Sequence, residues 1–140
     1  MKTQVSATMS LIDGLHFQGK DEKDNTIELD SAAAGVSQAG FKPMELVLQA
    51  LCGCSGMDSV FILNKRKLKP EKFEIEVTGI KRDEHPRIFE EINVVYRTKG
   101  EGITLKELER AVSLSMDKYC SVSAMLRGVV KINWRCEVIE

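Results

Sequence analysis

Between Pro43 and about Asn64 few strongly polar side chains appear: Glu45, Gln49, Asp58 and Ser59. Proline is pre-set for the first helical position, so the stretch predicts one long helix opening at Pro43. A helix apolar on nearly every side has to be buried on nearly every side. This one carries Cys52 and Cys54. It also carries Gly53 and Gly56, each costing about 1 kcal/mol in a helix interior. Their presence points to another backbone packing closely, as at a helix crossing with a second subunit.

The rest of the chain supplies what such a helix packs against. From Thr3 to Asp30 short β-like runs alternate with turn signals, Asp13-Gly14 as a hairpin and Asp24-Asn25 before the alternation Thr26 to Asp30. Ser31 to Gly40 is small and glycine-bearing and reads as a connector. After the helix, Asn64 to Pro70 places cations at its end with proline as the stop. Phe73, Ile75 and Val77 share one face of a strand; Ile88, Ile92, Val94 and Tyr96 share one face of the next, with Asp83 to Pro86 as the turn. Thr104 to Glu107 fits a capping box, with Ile103 and Leu108 as a hydrophobic staple, and predicts a second helix from about Leu105 to about Tyr119. Ser121 is suited to cap a short third helix over Val122 to Leu126, and Gly128 releases the chain into a last strand alternating through Val130, Ile132, Trp134, Cys136 and Val138. The order lacks the βαβ rhythm of a parallel sheet. It predicts an α+β fold in a single domain over 1–140, an antiparallel sheet packed on a long buried cysteine-bearing helix.

Charge narrows the function classes. Twenty basic against twenty-one acidic residues leave a net charge of -1, against the basic surplus that nucleic-acid binding requires. Met1 to Ser10 has no basic stretch followed by an apolar run of leader length, and charged residues interrupt each apolar stretch before the roughly 20 residues a bilayer requires. The expectation is a cytoplasmic chain with neither nucleic acid nor membrane as partner. There, Cys52, Cys54, Cys120 and Cys136 would be reduced, and any pair among them reactive and not a permanent staple.

Thiols are the one concentrated reactive chemistry. Cys52 and Cys54 lie about 200° apart around a regular helix and cannot share one metal ion. His16 and His85 sit in strand and turn contexts as surface or edge residues, so no metal site is expected. Cys120 precedes a helix start, where amide groups favour a thiolate. Cys136 follows the buried alternation of the last strand and Cys52 a buried helix, so both read as small core residues.

Two blocks carry a resemblance. Gly40-Phe41-Lys42-Pro43-Met44-Glu45-Leu46-Val47-Leu48-Gln49-Ala50-Leu51-Cys52-Gly53-Cys54 is similar to the pattern P-x-E-L-L-L-x-A-L-x-x-C, and Lys118-Tyr119-Cys120-Ser121-Val122-Ser123 is similar to K-x-C-P-V-S. About 65 residues separate the two cysteines, and the order is that of the OsmC/Ohr family, named for osmotically inducible protein C and organic hydroperoxide resistance protein. The chain resembles that family over nearly its whole length, including Phe17-Gln18-Gly19 and Ile27-Glu28-Leu29-Asp30.

The resemblance implies an intertwined homodimer and a thiol-dependent peroxidase that reduces organic hydroperoxides or hydrogen peroxide in oxidative-stress defence. Carried over, Cys54 is the peroxidatic cysteine and Cys120 the resolving one; no cofactor is required, and an external dithiol restores both thiols. The family's peroxide branch has a glutamate directly after the motif proline and an N-terminal arginine that hold the thiolate. Here Met44 follows Pro43, and no arginine precedes Arg66. Glu45 is the candidate support, although nine residues along a helix set it about 180° from Cys54. Lys20, Arg87 and Arg127 are the candidate substitutes for the arginine, and Ser121 replaces the usual proline. The alternative is a non-catalytic dimer of the same fold that binds a small ligand or senses redox state.

Overall fold

The computed structural model describes residues 2–32 and 38–140. Its contacts group into two compact units, 1–47 and 48–140.

The first unit is a three-stranded antiparallel sheet of β1 (Thr8–Asp13), β2 (His16–Lys20) and β3 (Thr26–Leu29) in that order. The Asp13-Gly14 signal is the β1–β2 hairpin, and Gly14 there adopts a φ of +54°, where a side chain would be strained. Asp21 closes the next turn by accepting from the backbone N–H groups of Lys23 and Asn25 at 2.9 and 2.8 Å. The chain returns at Phe41, whose N–H donates to the Glu28 carbonyl at 3.0 Å while its own carbonyl accepts from Asp30 N–H at 2.9 Å. The central part of the connector expected over Ser31 to Gly40 lies outside the described residues. The long helix, α1 (Pro43–Lys65), starts here at its proline, as its sequence predicts.

The second unit holds most of α1 and then β4 (Lys72–Lys81), β5 (Phe89–Lys99), α2 (Leu105–Leu114), a π-helical turn (Ser115–Tyr119), α3 (Ser121–Leu126) and β6 (Lys131–Val138). The expected β4–β5 hairpin forms, but the sheet is not wholly antiparallel. Its order is β4-β5-β6, and β6 runs parallel to β5. Alternation fixes which side chains face inward but not strand direction; α2, the π-helical turn and α3 form the crossover that a parallel neighbour requires.

Register also departs in one place. Ile80 pairs with Glu91 and Lys81 with Phe89, so Glu90 is an extra residue on β5. That bulge shifts the inward series by one. The buried positions are therefore Phe89, Ile92, Val94, Tyr96 and Thr98, with Phe89 in the place expected for Ile88. The core they form is completed by Leu51 and Leu63 of α1 and by Leu108, Ala111 and Val112 of α2.

The two principal helices differ from expectation. Within α1 only a stripe is buried: Leu51, Cys52, Ser55, Ser59 and Leu63. On another face Met57 is 77% and Phe61 52% exposed. A Cβ on Gly53 would meet nothing within 4 Å, while one on Gly56 would approach Ile75 Cδ1 at 2.9 Å. The close packing expected at these glycines is thus, among the described residues, a side chain against Gly56 and open space at Gly53. By length and composition α1 could cross a membrane, contrary to the sequence expectation of interruption by charge. Its serines nevertheless lie in a protein core, where Ser59 Oγ donates to the Ser55 carbonyl at 2.8 Å.

For α2, Thr104 Oγ1 accepts from Glu107 N–H at 3.2 Å, which is half of the capping box. The Glu107 carboxylate turns away to a paired contact with Arg66, at 2.7 and 2.8 Å. The staple residues Ile103 and Leu108 are both buried. The helical path does reach Tyr119, but its last five residues are π-helical.

Candidate active site

Asp58 lies one helical turn beyond Cys54 on α1, so their side chains share a face. Cys120 enters that face from the junction between the π-helical turn and α3. The sulfurs of Cys54 and Cys120 and a carboxylate oxygen of Asp58 all lie within 4.8 Å of one another. The two cysteines singled out from sequence are therefore brought together.

The turn Ser115–Tyr119 sets the second thiol. Cys120 N–H donates to the Ser115 carbonyl at 2.7 Å, an i→i−5 bond that closes the wider turn. Cys120 then leaves the helix in an extended conformation and serves as the cap of α3, its Sγ accepting from Ser123 N–H at 3.4 Å. The cap expected at Ser121 is thus Cys120, and Ser121 is the first helical residue. Ser123 Oγ adds bonds to the Cys120 and Met116 carbonyls, at 3.1 and 3.3 Å.

The thiols differ in environment. Cys54 is half-buried and Cys120 buried. Burial, and secondarily the neighbouring Cys54, push the Cys120 thiol up, against a lowering by Ser123 N–H. Burial pushes Cys52 up to about 11, and burial together with Glu109 pushes Cys136 up to about 12. Both remain protonated packing thiols at neutral pH, as expected from their apolar surroundings.

Behind the pair runs a buried polar chain. Ser115 Oγ lies 2.9 Å from Asp58 Oδ2 and 3.2 Å from Ser55 Oγ. A serine hydroxyl has one proton to give, and the carboxylate is acceptor-only, so Ser115 donates to Asp58. Ser55 Oγ is 2.7 Å from the Tyr96 hydroxyl, which in turn donates to Met116 Sδ at 3.5 Å. Burial holds the Tyr96 phenol far above its ordinary range, so it stays a donor. These contacts tie α1, β5 and the π-helical turn together directly beneath the cysteines.

Asp58 also lines a cavity of about 360 Å³ with Phe61, Ile62, Lys65 and Tyr119. The cavity combines an apolar wall with one cation and one carboxylate.

Each of the other sequence candidates has a local place of its own. Glu45 Oε1 accepts from Lys42 N–H at 2.8 Å and so serves the start of α1. Lys20 ends β2 in the first unit. Arg87 Nε donates to the Arg82 carbonyl at 3.4 Å in the β4–β5 turn. Arg127 follows the last residue of α3, roughly 10 Å of helix away from Cys120. Asp58, in the sequence only a polar interruption of the apolar helix, lies beside both thiols; the four-residue spacing from Cys54 was the available signal. Lys65, among the cations at the end of α1, lines the cavity beside Asp58.

A family model described as OsmC-like protein matches residues 35–135. The chain belongs to the OsmC-like family. Among curated relatives, Protein YhfA of Escherichia coli strain K12 is 35% identical over 135 residues, covering 96% of this chain and 98% of its own. A solved structure of a hypothetical protein from Aquifex aeolicus superposes with a TM-score of 0.83 at 33% identity, covering 99% of this chain and 100% of the other. The organic hydroperoxide resistance protein OhrB of Bacillus subtilis superposes with a TM-score of 0.66 at 17% identity, over 96% and 98% of the two chains, and so shares the fold. This OsmC-like chain thus has the mixed α+β fold of proteins that include one named for hydroperoxide resistance.

Proposed function

We propose that this OsmC-like protein is a thiol-dependent peroxidase acting on small organic hydroperoxides. The observation that carries the reading is the proximity of an accessible thiol, Cys54, to a buried one, Cys120, within 4.8 Å. The Cys54 thiolate attacks the distal peroxide oxygen; the O–O bond breaks, the alcohol leaves with a proton, and Cys54 becomes a sulfenic acid. Cys120 then attacks the sulfenic sulfur, water is lost, and a disulfide forms. An external dithiol restores both thiols by exchange. The reaction as written needs no resident cofactor, and a dithiol donor of this kind fits a reducing cytoplasm.

The order of the two steps follows from environment. Cys120 is buried and its thiol is held up by that burial, so it stays in reserve while Cys54 meets substrate. Asp58 stands beside both sulfurs as the acidic group that can take the thiol proton and return it to the departing alkoxide. The cavity lined by Phe61, Ile62 and Tyr119 suits the apolar body of an organic hydroperoxide, and Lys65 in its wall supplies a positive charge in a chain that lacks the N-terminal arginine.

The same reading includes a homodimer. The exposed apolar face of α1 borders a broad groove of about 950 Å³, lined by Gly53, Met57, Val60, Phe61, Phe73 and Ile75. An open apolar surface of this size calls for a covering partner, and a second copy of the chain presents the same face. In that arrangement α1 is an interior helix and not a membrane span.

The test is peptide-mass analysis after one equivalent of cumene hydroperoxide. The wild type is expected to yield a Cys54–Cys120 disulfide, and Cys120→Ser a trappable sulfenic acid on Cys54. Both proteins remaining fully reduced would overturn the peroxidase and leave the fold to ligand binding or sensing.

A further inference from the structure

We infer that the reduced site is also a binding site for a thiophilic divalent cation such as Zn²⁺, held by Cys54, Asp58 and Cys120. Two sulfurs and one carboxylate oxygen within 4.8 Å of one another form a ligand set that zinc takes, with metal–sulfur bonds near 2.3 Å and metal–oxygen bonds near 2.0–2.2 Å. Around a tetrahedral ion such ligands stand about 3.5–3.8 Å apart, a spacing that falls inside that 4.8 Å span. Cys52 with Cys54, and the two histidines, give no such ligand set in the sequence. The fold instead recruits Cys120 and the carboxylate one turn along α1.

Two further observations support ligation. Metal-binding groups are ordinarily oriented by hydrogen bonds from a surrounding shell. Here Asp58 Oδ2 accepts from buried Ser115 at 2.9 Å, which orients the carboxylate. Cys120 Sγ accepts from Ser123 N–H at 3.4 Å, which fixes the direction of the sulfur. The half-buried position of Cys54 leaves the fourth place around the ion to water, the arrangement of an exchangeable site as opposed to a closed structural one.

The site is gated by oxidation state. The two thiolates that would hold the ion are those that would reduce a hydroperoxide. When they give two electrons to its O–O bond they become a disulfide. With two protons from solvent, the products are the alcohol and water, and the ion is released. The cation and the peroxide therefore compete for one pair of sulfurs. Binding itself rests on the ligand geometry and stands whether or not the pair turns over peroxide.

The experiment titrates the full chain, reduced with a phosphine, with Cd²⁺ and follows the ultraviolet thiolate-to-metal charge-transfer band; Zn²⁺ is measured by competition with a chromophoric chelator. One ion per chain is expected. The band is expected to vanish in Cys54→Ser, and zinc affinity to fall about tenfold or more in Asp58→Asn, while Cys136→Ser binds as the wild type does. In the unaltered protein, peptide mass after alkylation should show Cd²⁺ protecting Cys54 and Cys120 together, a readout independent of any variant's folding. No band, a band that survives Cys54→Ser, or an affinity indifferent to Asp58→Asn would overturn the site. Peroxide consumption, measured separately without metal, keeps failure here distinct from failure of the peroxidase reading.

Discussion

Removing the Ser115 hydroxyl should weaken both the fold and the site, by an amount the structure sets. Ser115 is fully buried; its Oγ donates to the Asp58 carboxylate at 2.9 Å and touches Ser55 Oγ at 3.2 Å. A hydrogen bond to a charged group contributes about 1.5–3 kcal/mol, and leaving a partner unsatisfied adds its desolvation cost. Asp58 is only half-buried, so water replaces part of what it loses, and the lower end of the range applies. We expect Ser115→Ala to cost about 1.5 kcal/mol. With a urea slope of about 2 kcal/mol/M for a domain of this size, the midpoint falls by roughly 0.8 M. Ser113→Ala is the control, because its hydroxyl also donates to an aspartate, Asp117 at 3.1 Å, one helical turn away on the exposed surface; it should change stability by less than about 0.5 kcal/mol. A cycle with Asp58→Ala isolates the pair, and a coupling of about 1 kcal/mol is expected. Ser115→Ala should also slow sulfenic acid formation at Cys54, since Asp58 loses its anchor. Equal midpoints for Ser115→Ala and Ser113→Ala, or a coupling near zero, would refute the reasoning.

Alkylation at pH 8 should modify Cys54 well before Cys52 and Cys136, whose thiols are held near 11 and 12 by burial; peptide mass gives the order. The same raised values fix a pH slope. The folded state keeps protons that the unfolded chain, with cysteines near 8.5, has released. Their contribution is full below about pH 8.5 and is lost as pH climbs through 11 and 12, so urea midpoints should fall over that range. Cys52→Ala and Cys136→Ala should each flatten the fall. Thr104→Ala removes the α2 cap and should cost about 1 kcal/mol, read by thermal melting. Met57→Glu places a charge on the exposed face of α1 and should yield monomers by sedimentation velocity if a second copy covers that face; an unchanged sedimentation coefficient would point to a different interface.

Much of this molecule was legible because local patterns were unopposed. Asp13-Gly14, the Pro43 helix start, the Thr104 cap and the β4–β5 alternation each specify one structure with neighbouring residues alone. The failures share a cause in longer-range geometry. The parallel pairing of β6 depends on where α2 and α3 deliver the chain, which alternation does not encode. The bulge at Glu90 exchanges Phe89 for Ile88 without disturbing the apolar pattern on either side. An α1 apolar on every side gives no clue to which stripe the chain itself buries. Cys54 and Cys120 stood out by motif, whereas Asp58 looked like an interruption until the fold set it beside both, and Glu45 accepts from Lys42 N–H at the start of α1.

The π-helical turn at Ser115–Tyr119 makes the second thiol a matter of phase. A π turn holds one residue more than the α-helical path it replaces. Wound instead as regular α-helix, the same five residues would leave the core stripe of Leu108, Ala111 and Val112 undisturbed upstream but over-rotate the chain beyond by roughly 100°, carrying Cys120 off its bearing toward Cys54. A turn one residue shorter would let the α-helical path take over with the downstream phase nearly kept. The hydrophobic interior is indifferent to which path the turn takes, and the approach of the two sulfurs is not.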